Sequence, residues 1–281
     1  MIKRFLMLTA AALFMAVTML AGCSSSGSGA DKGSQESEAQ EGSTDLLTDI
    51  QERGQIVIAM EGTWAPWTYH DEEDQLVGYD VEVGKLIAEK LGVEAVFEEG
   101  PWDGLLAGLD AGRYDIMING VDVTPERAEK YDFSTPYAYN RMAVIVRGDD
   151  ESISSMEDLS GKHTANTISS TYAEKAEEYG AEVTGVDDLN QTFELLLSGR
   201  IDATLNAEVT YYDYMKAHPE AGIKIACLDP EVTEVAIPMR KGDETKALRE
   251  AIDQAITELS ESGELTELSE KYFGTDISKA E

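Results

Sequence analysis

AGRYDIMIN (111–119) and SGRIDATLN (198–206) share glycine, arginine, aspartate and asparagine at equal offsets. Gly112, Arg113, Asp115 and Asn119 thus match Gly199, Arg200, Asp202 and Asn206. In each, an apolar helical run stops at glycine, the residue that takes a left-handed helix end without steric cost, and a β-type run leads out to asparagine. One helix–turn–strand unit used twice implies two similar lobes; chance recurrence of a common unit is the plainer alternative. Ligands of open α/β sheets sit beyond the carboxyl ends of the strands. By that rule Asn119 and Asn206 both face the space between the lobes.

Working outward, QIVIAM (55–60) reads as a buried strand and GTWAPWTYH (62–70) as a loop. Asp80 is the expected N-cap of a helix whose Val83, Leu86, Ile87 and Leu91 share a face and which Gly92 closes. VEAVFEE (93–99), WDGLLAGLDAG (102–112) and YDIMING (114–120) continue as strand, helix and strand. This alternation predicts an α/β fold, a mainly parallel sheet with helices on its faces. Near the C-terminus, Leu248, Ile252, Ala255, Ile256 and Leu259 form one helical stripe, Gly263 breaks it, and Leu265, Leu268 and Tyr272 begin another.

Lys3 and Arg4 precede an apolar run from Phe5 to Leu20 that ends in LAGC at Cys23. A basic start, a short apolar stretch and small residues describe a cleaved secretory signal over 1–22, since a membrane span needs about 20 apolar residues. LAGC resembles the lipobox of bacterial lipoproteins, which implies lipid on Cys23 and a lipid anchor at the outer face of the cell membrane. Residues 24–43 contain no large apolar side chain and read, with Cys23, as a flexible tether over 23–43. A formal net charge of −33 argues against nucleic acid as a partner. His70, His163 and His218 show no metal-ligand spacing, and no metal or cofactor is expected. Cys227 reads as a strand residue, not a reactive thiol.

Thr124-Pro125-Glu126-Arg127 is a helix start, with threonine as N-cap and proline at the first position. Free N–H groups and the positive end of the helix dipole favour an anion there, and the Arg127 guanidinium fork suits a carboxylate. Pairing of Arg127 with Asp132 or another surface carboxylate is the bland alternative.

NGVDVTPERAEKYDFSTPY (119–137) resembles the signature of family 3 extracellular solute-binding proteins, the polar amino-acid receptors of ABC importers. TWAPWTY, GYDVEVGKLIAEKLG, WDGLLAGLDAGRYDIMING, MEDLSGK, SGRIDA and ELSEKYFGTD follow in family order. The resemblance implies a type II periplasmic-binding-protein-like fold, with lobe 1 over 44–136 plus 236–281, lobe 2 over 137–235, and hinge crossings near Pro136 and Val235. It implies that Arg127 clamps a ligand carboxylate and that Trp64 and Trp102 sandwich the ligand. Gly120 and Asp122 would contact its carboxylate and amine, Ser170 and Thr171 would donate from the second lobe, and Glu61 would touch it. The aspartate that receives the amine in many relatives maps to Ala207, so Glu208, Asp122 or Glu61 must supply that charge. Likeness of TYAEKAEEYGAEV (171–183) and VDDLNQTFELLLSGRIDATLN (186–206) to receptors of cystine importers implies L-cystine, with Asn206 or Glu208 at the far end of a two-ended ligand. Glutamine or another polar amino acid is the alternative. The expected partners are an amino acid and a membrane permease, with the protein a monomer; a dehydratase on the same fold is the competing class.

Overall fold

A computed structural model describes residues 45–280. The signal over 1–22, Cys23 and the tether to 43 lie outside the described residues. The chain enters through α1 (Leu46–Arg53), capped by the Asp45 carboxylate and closed by left-handed Gly54. It then runs into β1 (Gln55–Met60), whose apolar side chains are buried. A short antiparallel meander follows, β2 (Thr63–Trp64), β3 (Thr68–His70) and β4 (Leu76–Val77), before α2 (Tyr79–Leu91). β5 (Glu94–Glu99), α3 (Trp102–Asp110) and β6 (Ile116–Met117) complete a parallel sheet in the order β5-β1-β6. α4 (Pro125–Lys130) and β7 (Tyr131–Phe133) lead to the second lobe.

The second sheet is built from β8 (Ala138–Arg147), β9 (His163–Asn166), β10 (Glu182–Gly185), β11 (Ala203–Ala207) and β12 (Ile223–Val235), in the order β10-β9-β11-β8-β12. Between these strands lie α5 (Thr171–Glu178), α6 (Leu189–Leu197) and α7 (Glu208–Ala217). β10, β9 and β11 are parallel, and β8 runs antiparallel to β11 and β12. β13 (Pro238–Arg240) pairs with β7, and α8 (Lys246–Ser262) and α9 (Glu264–Phe273) close the chain. α8 packs against α1 and α2 with its Leu248, Ile252, Ala255, Ile256 and Leu259 stripe buried, and Gly263 is the left-handed break. The result is a two-lobed α/β fold whose two connecting segments run side by side: Ala138 pairs with Val235, and Tyr137 N–H donates to Val235 O at 3.0 Å.

The repeated unit has one physical job in both lobes. Asp115 Oδ2 accepts the Val57 N–H at 2.7 Å while Asp115 N–H donates to Val57 O at 3.0 Å. Asp202 does the same to His163, at 2.9 Å and 2.8 Å. In each lobe the aspartate therefore fixes a strand to its parallel neighbour, downstream of a left-handed glycine, Gly112 or Gly199. Asp115 also meets the Arg53 guanidinium.

Three local expectations are corrected. Residues 62–70, read as a loop, carry the antiparallel strands β2 and β3, with Thr63 opposite Tyr69 and Trp64 opposite Thr68. Asp80 does not cap α2, which starts at Tyr79 behind Gly78, because loop carbonyls already take the first donors: Tyr79 N–H bonds Pro66 O and Asp80 N–H bonds Trp67 O. Asp80 is buried in the first turn, where it accepts from Tyr137 Oη–H at 2.8 Å, and desolvation pushes its carboxyl up to about 7. YDIMING is regular strand only over Ile116–Met117, with Asp115 N–H and Ile118 N–H bonding Val57 O and Ala59 O at its ends, since the chain then turns into the loop that carries Gly120 and Asp122. Cys227 sits in β12 as expected, and burial pushes its thiol up to about 11. Among the described residues no helix is long and apolar enough to cross a membrane.

Asp115→Ala strands the Val57 N–H and the Arg53 cation, and an unmade buried hydrogen bond costs about 1–3 kcal/mol. Urea unfolding should show a stability loss of that size, with a change under about 0.5 kcal/mol contradicting the assigned role.

Candidate functional site

The carboxyl ends of β1, β6, β9 and β11 converge on a cavity between the two sheets. One wall carries Glu61, Trp64, Trp102, Gly120, Asp122 and Arg127; the other carries Asn166, Ser170, Thr171, Tyr172, Asp188 and Asn206.

Arg127 is held as the helix-start reading requires. Thr124 Oγ1 accepts the Arg127 N–H at 3.2 Å, and Pro125 occupies the first helical position. The buried guanidinium donates to two carbonyls, Asp122 O at 3.2 Å and Ser169 O at 3.3 Å, and lies 5.3 Å from the Trp102 ring centroid. Asp132, the alternative partner, instead accepts from the Gly242 N–H. Carbonyls and an aromatic face orient the cation and leave its charge for an anion in the cavity.

Asp122 is the nearest acid to this end. Its Oδ2 accepts from Thr171 Oγ1–H at 2.5 Å and its Oδ1 from Asn140 Nδ2 at 3.5 Å. Burial raises its pKa, while Thr171, Arg127 and Asn140 pull the other way. Trp64 stacks on Trp67 at 5.4 Å, meets Tyr172 edge-on at 6.3 Å, and donates its Nε1–H across the cleft to Asn206 Oδ1 at 3.2 Å. Gly120 has φ +54°, and a Cβ there would come within 2.7 Å of the Trp64 ring, so only glycine lets the indole lie on this loop.

Glu61 faces a different group of charges. Asn119 grips it twice, accepting the Glu61 N–H at 2.8 Å and donating Nδ2–H to Oε2 at 2.8 Å. Desolvation pushes the Glu61 carboxyl up to about 7, Asn119 opposes this, and Asp103 and Asp188 push further in the same direction. The lobes are closed over the cavity. Besides the bonds from Trp64, Arg127 and Thr171, Ser169 Oγ–H donates to Asp103 at 2.6 Å, and Ser169 reaches that position with a left-handed φ of +62°.

The structure thus gathers Arg127, Trp64, Trp102, Glu61, Gly120, Asp122, Ser170, Thr171 and Asn206 around one cavity. The Ser170 hydroxyl is spent on its own helix, capping α5 by accepting from Ala173 N–H and donating to Thr167 O. Trp102 lies against the Arg127 guanidinium as well as the cavity. Glu208 is a correction: at the first residue of α7 it turns to another groove, where it accepts from Tyr212 Oη–H at 3.0 Å. The strand ends at Ala207, and the switch to helix reverses the direction of the next side chain. Sequence reasoning missed Asn166, Tyr172 and Asp188. The signal for Asn166 and Asp188 was their place at or just past the ends of second-lobe strands. Among the described residues no cluster of His, Cys, Asp and Glu could hold a metal ion.

A two-lobed α/β fold closed over a cavity with one arginine at a helix start defines a type II solute receptor. Residues 56–275 match the bacterial extracellular solute-binding proteins, family 3, and the chain belongs to that family. It is similar to the L-cystine-binding protein TcyA of Bacillus subtilis, 37% identical over 95% of this chain and 98% of that one. The L-cystine solute receptor of Neisseria gonorrhoeae, in its unliganded open conformation, superposes with a TM-score of 0.59 at 40% identity, covering 84% of this chain and 99% of that one. An ancestral arginine-binding protein bound to arginine superposes with a TM-score of 0.74 at 34% identity, covering 79% and 99%. The less identical, ligand-bound structure fits better, in keeping with the closed cleft.

A cationic group placed against Glu61 favours its ionised form, which predominates only above about 7. Affinity for such a ligand should therefore rise between about pH 5 and 8, and Glu61→Gln should flatten the rise. Calorimetric titrations across that range test this, and a pH-independent wild type contradicts it.

Proposed function

We propose that the protein captures L-cystine or a related polar amino acid in the inter-lobe cleft and delivers it to the permease of an ABC importer. The observation that carries this reading is the buried Arg127 cation, which among the described residues donates its hydrogen bonds to carbonyls and lies against an aromatic face at the cavity wall. A ligand α-carboxylate is its natural complement, with Trp64 and Trp102 against the stem. A disulfide-bearing stem suits such walls, since S–aromatic contacts contribute about 0.3–1.5 kcal/mol. Ala207 offers no charge, and Glu208 faces elsewhere, which leaves Asp122 and Glu61; Asp122, whose own carbonyl accepts from Arg127, receives the α-ammonium. The names of the Bacillus and Neisseria relatives support cystine; glutamine or another polar amino acid is the alternative.

The lobes in this reading are 44–136 plus 236–281 and 137–235, joined at the paired crossings near Pro136 and Val235, and ligand closes the hinge. The side-by-side run of β8 and β12 supports that division. The protein acts as a monomer without cofactor or catalytic residue, held by lipid on Cys23 at the outer face of the cell membrane. Glu61 and Asp122, cavity acids with raised pKa, are what an enzyme could use as an acid, and lack of prephenate or arogenate turnover separates the receptor from a dehydratase.

A thermal-shift panel of the common amino acids plus L-cystine tests the function. A ligand at ~100 times its Kd adds about 2.7 kcal/mol of stability. L-Cystine should stabilise the wild type, and Arg127→Ala should lose at least about tenfold in affinity, since breaking a buried charge contact costs about 2–5 kcal/mol. Stabilisation by glutamine, arginine or histidine but not L-cystine contradicts the ligand, and an Arg127→Ala variant within about threefold of wild type contradicts the anchor.

A further inference from the structure

We infer that Asp188 and Asn166, facing Glu61, form a subsite for a second cationic group on the ligand. This rests on the receptor reading and specifies what the end of the cavity away from Arg127 selects.

The placement follows from the second sheet. β9 and β10 are parallel, with Gly185 in register with Asn166, and Val186 N–H donates to Asn166 O at 3.2 Å. The chain leaves β10 at Gly185 and reaches Asp188 within one short turn, so both side chains arrive from neighbouring strand ends and both line the cavity. Asp188 caps α6 with one carboxylate, accepting Gln191 N–H and Nε2–H, both at 3.0 Å. Its charge thus sits on a helix end fixed by the fold, not on a flexible loop. Glu61 approaches from the other lobe, locked by Asn119.

A separate observation points to a donor on the ligand. Asn166 is almost completely buried, and its Nδ2 is used on Leu205 O at 2.7 Å and Thr204 Oγ1 at 3.4 Å, yet its Oδ1 has no partner. An orphaned buried acceptor is costly, and a ligand N–H satisfies it. Arg127 is the only basic residue among those lining the cavity, and it is engaged with Asp122 and Ser169. Glu61 and Asp188 line the same cavity from the two lobes, Asp188 adds to the upward push on the Glu61 carboxyl, and among the described residues lining the cavity no cation sits with them. An ammonium group between them offsets that repulsion and gives Asn166 Oδ1 its donor. A ligand cationic at one end only leaves this subsite unfilled.

Asp188→Asn is the decisive variant, because asparagine keeps the helix cap to Gln191 N–H and gives up only the charge and the exposed bond from Gln191 Nε2–H. Calorimetry would compare L-cystine, L-lysine and L-arginine, which carry a second cation, with S-methyl-L-cysteine, which does not. Asp188→Asn should weaken the two-cation ligands that the wild type binds by about tenfold or more and change S-methyl-L-cysteine by less than about twofold. Equal weakening of both classes, or no change in either, overturns the subsite while leaving any wild-type binding of L-cystine intact. A wild type that ignores L-cystine but binds L-lysine or L-arginine through Asp188 contradicts the cystine reading and supports the subsite. A wild type that binds no two-cation ligand overturns both.

Discussion

The Arg127 guanidinium is the constraint on which the arrangement of the cleft depends. A permanent cation is costly to bury without compensation, and here two carbonyls and an indole face supply only part of it. One carbonyl, Asp122 O, belongs to the same lobe as the arginine; the other, Ser169 O, comes from the opposite lobe. The cation is therefore fully gripped only when the cleft is closed. Ser169 adds its hydroxyl bond to Asp103 from a left-handed backbone that favours glycine, so two contacts across the cleft meet at one residue. Anion capture and closure share the same atoms, which gives a physical route from ligand binding to domain motion.

The electrostatics of the cavity divide along its length. In the subsite reading, Arg127 and the Asp122–Thr171 pair form one end, and Glu61, Asp188 and Asn166 form the other, all of them lining one cavity with Trp64. A zwitterion satisfies the first end by itself. In that reading the second end holds an excess of acceptors; burial is the main cause of the raised Glu61 carboxyl, and Asp103 and Asp188 add a smaller push in the same direction. Fold and site are joined by the repeated unit: Asp115 and Asp202 register the strands whose loops carry Glu61 and Asn166, and Asn119 at the end of the first unit holds Glu61 directly.

Much of this was legible in the sequence because it is local. The repeated Gly-Arg-x-Asp unit announces two lobes, and Thr124-Pro125 fixes the helix start that presents Arg127. Asp80 was misread because a side-chain cap and a loop-carbonyl cap look alike in sequence; only the path of residues 66–67 decides between them. Glu208 was misplaced because a strand-to-helix switch at Ala207 sets which of two neighbouring side chains enters the cleft. Asn166 and Asp188 were legible only as residues at or just past strand ends, and Ser169 not at all, since their roles depend on which strand ends face one another.

A crystal structure of the protein with L-cystine tests the central claim most directly. The account predicts one ligand carboxylate within hydrogen-bond distance, about 2.7–2.9 Å, of the Arg127 guanidinium, with both lobes in contact with the ligand. A ligand bound elsewhere, or bound in the cleft with its carboxylates away from Arg127, contradicts it.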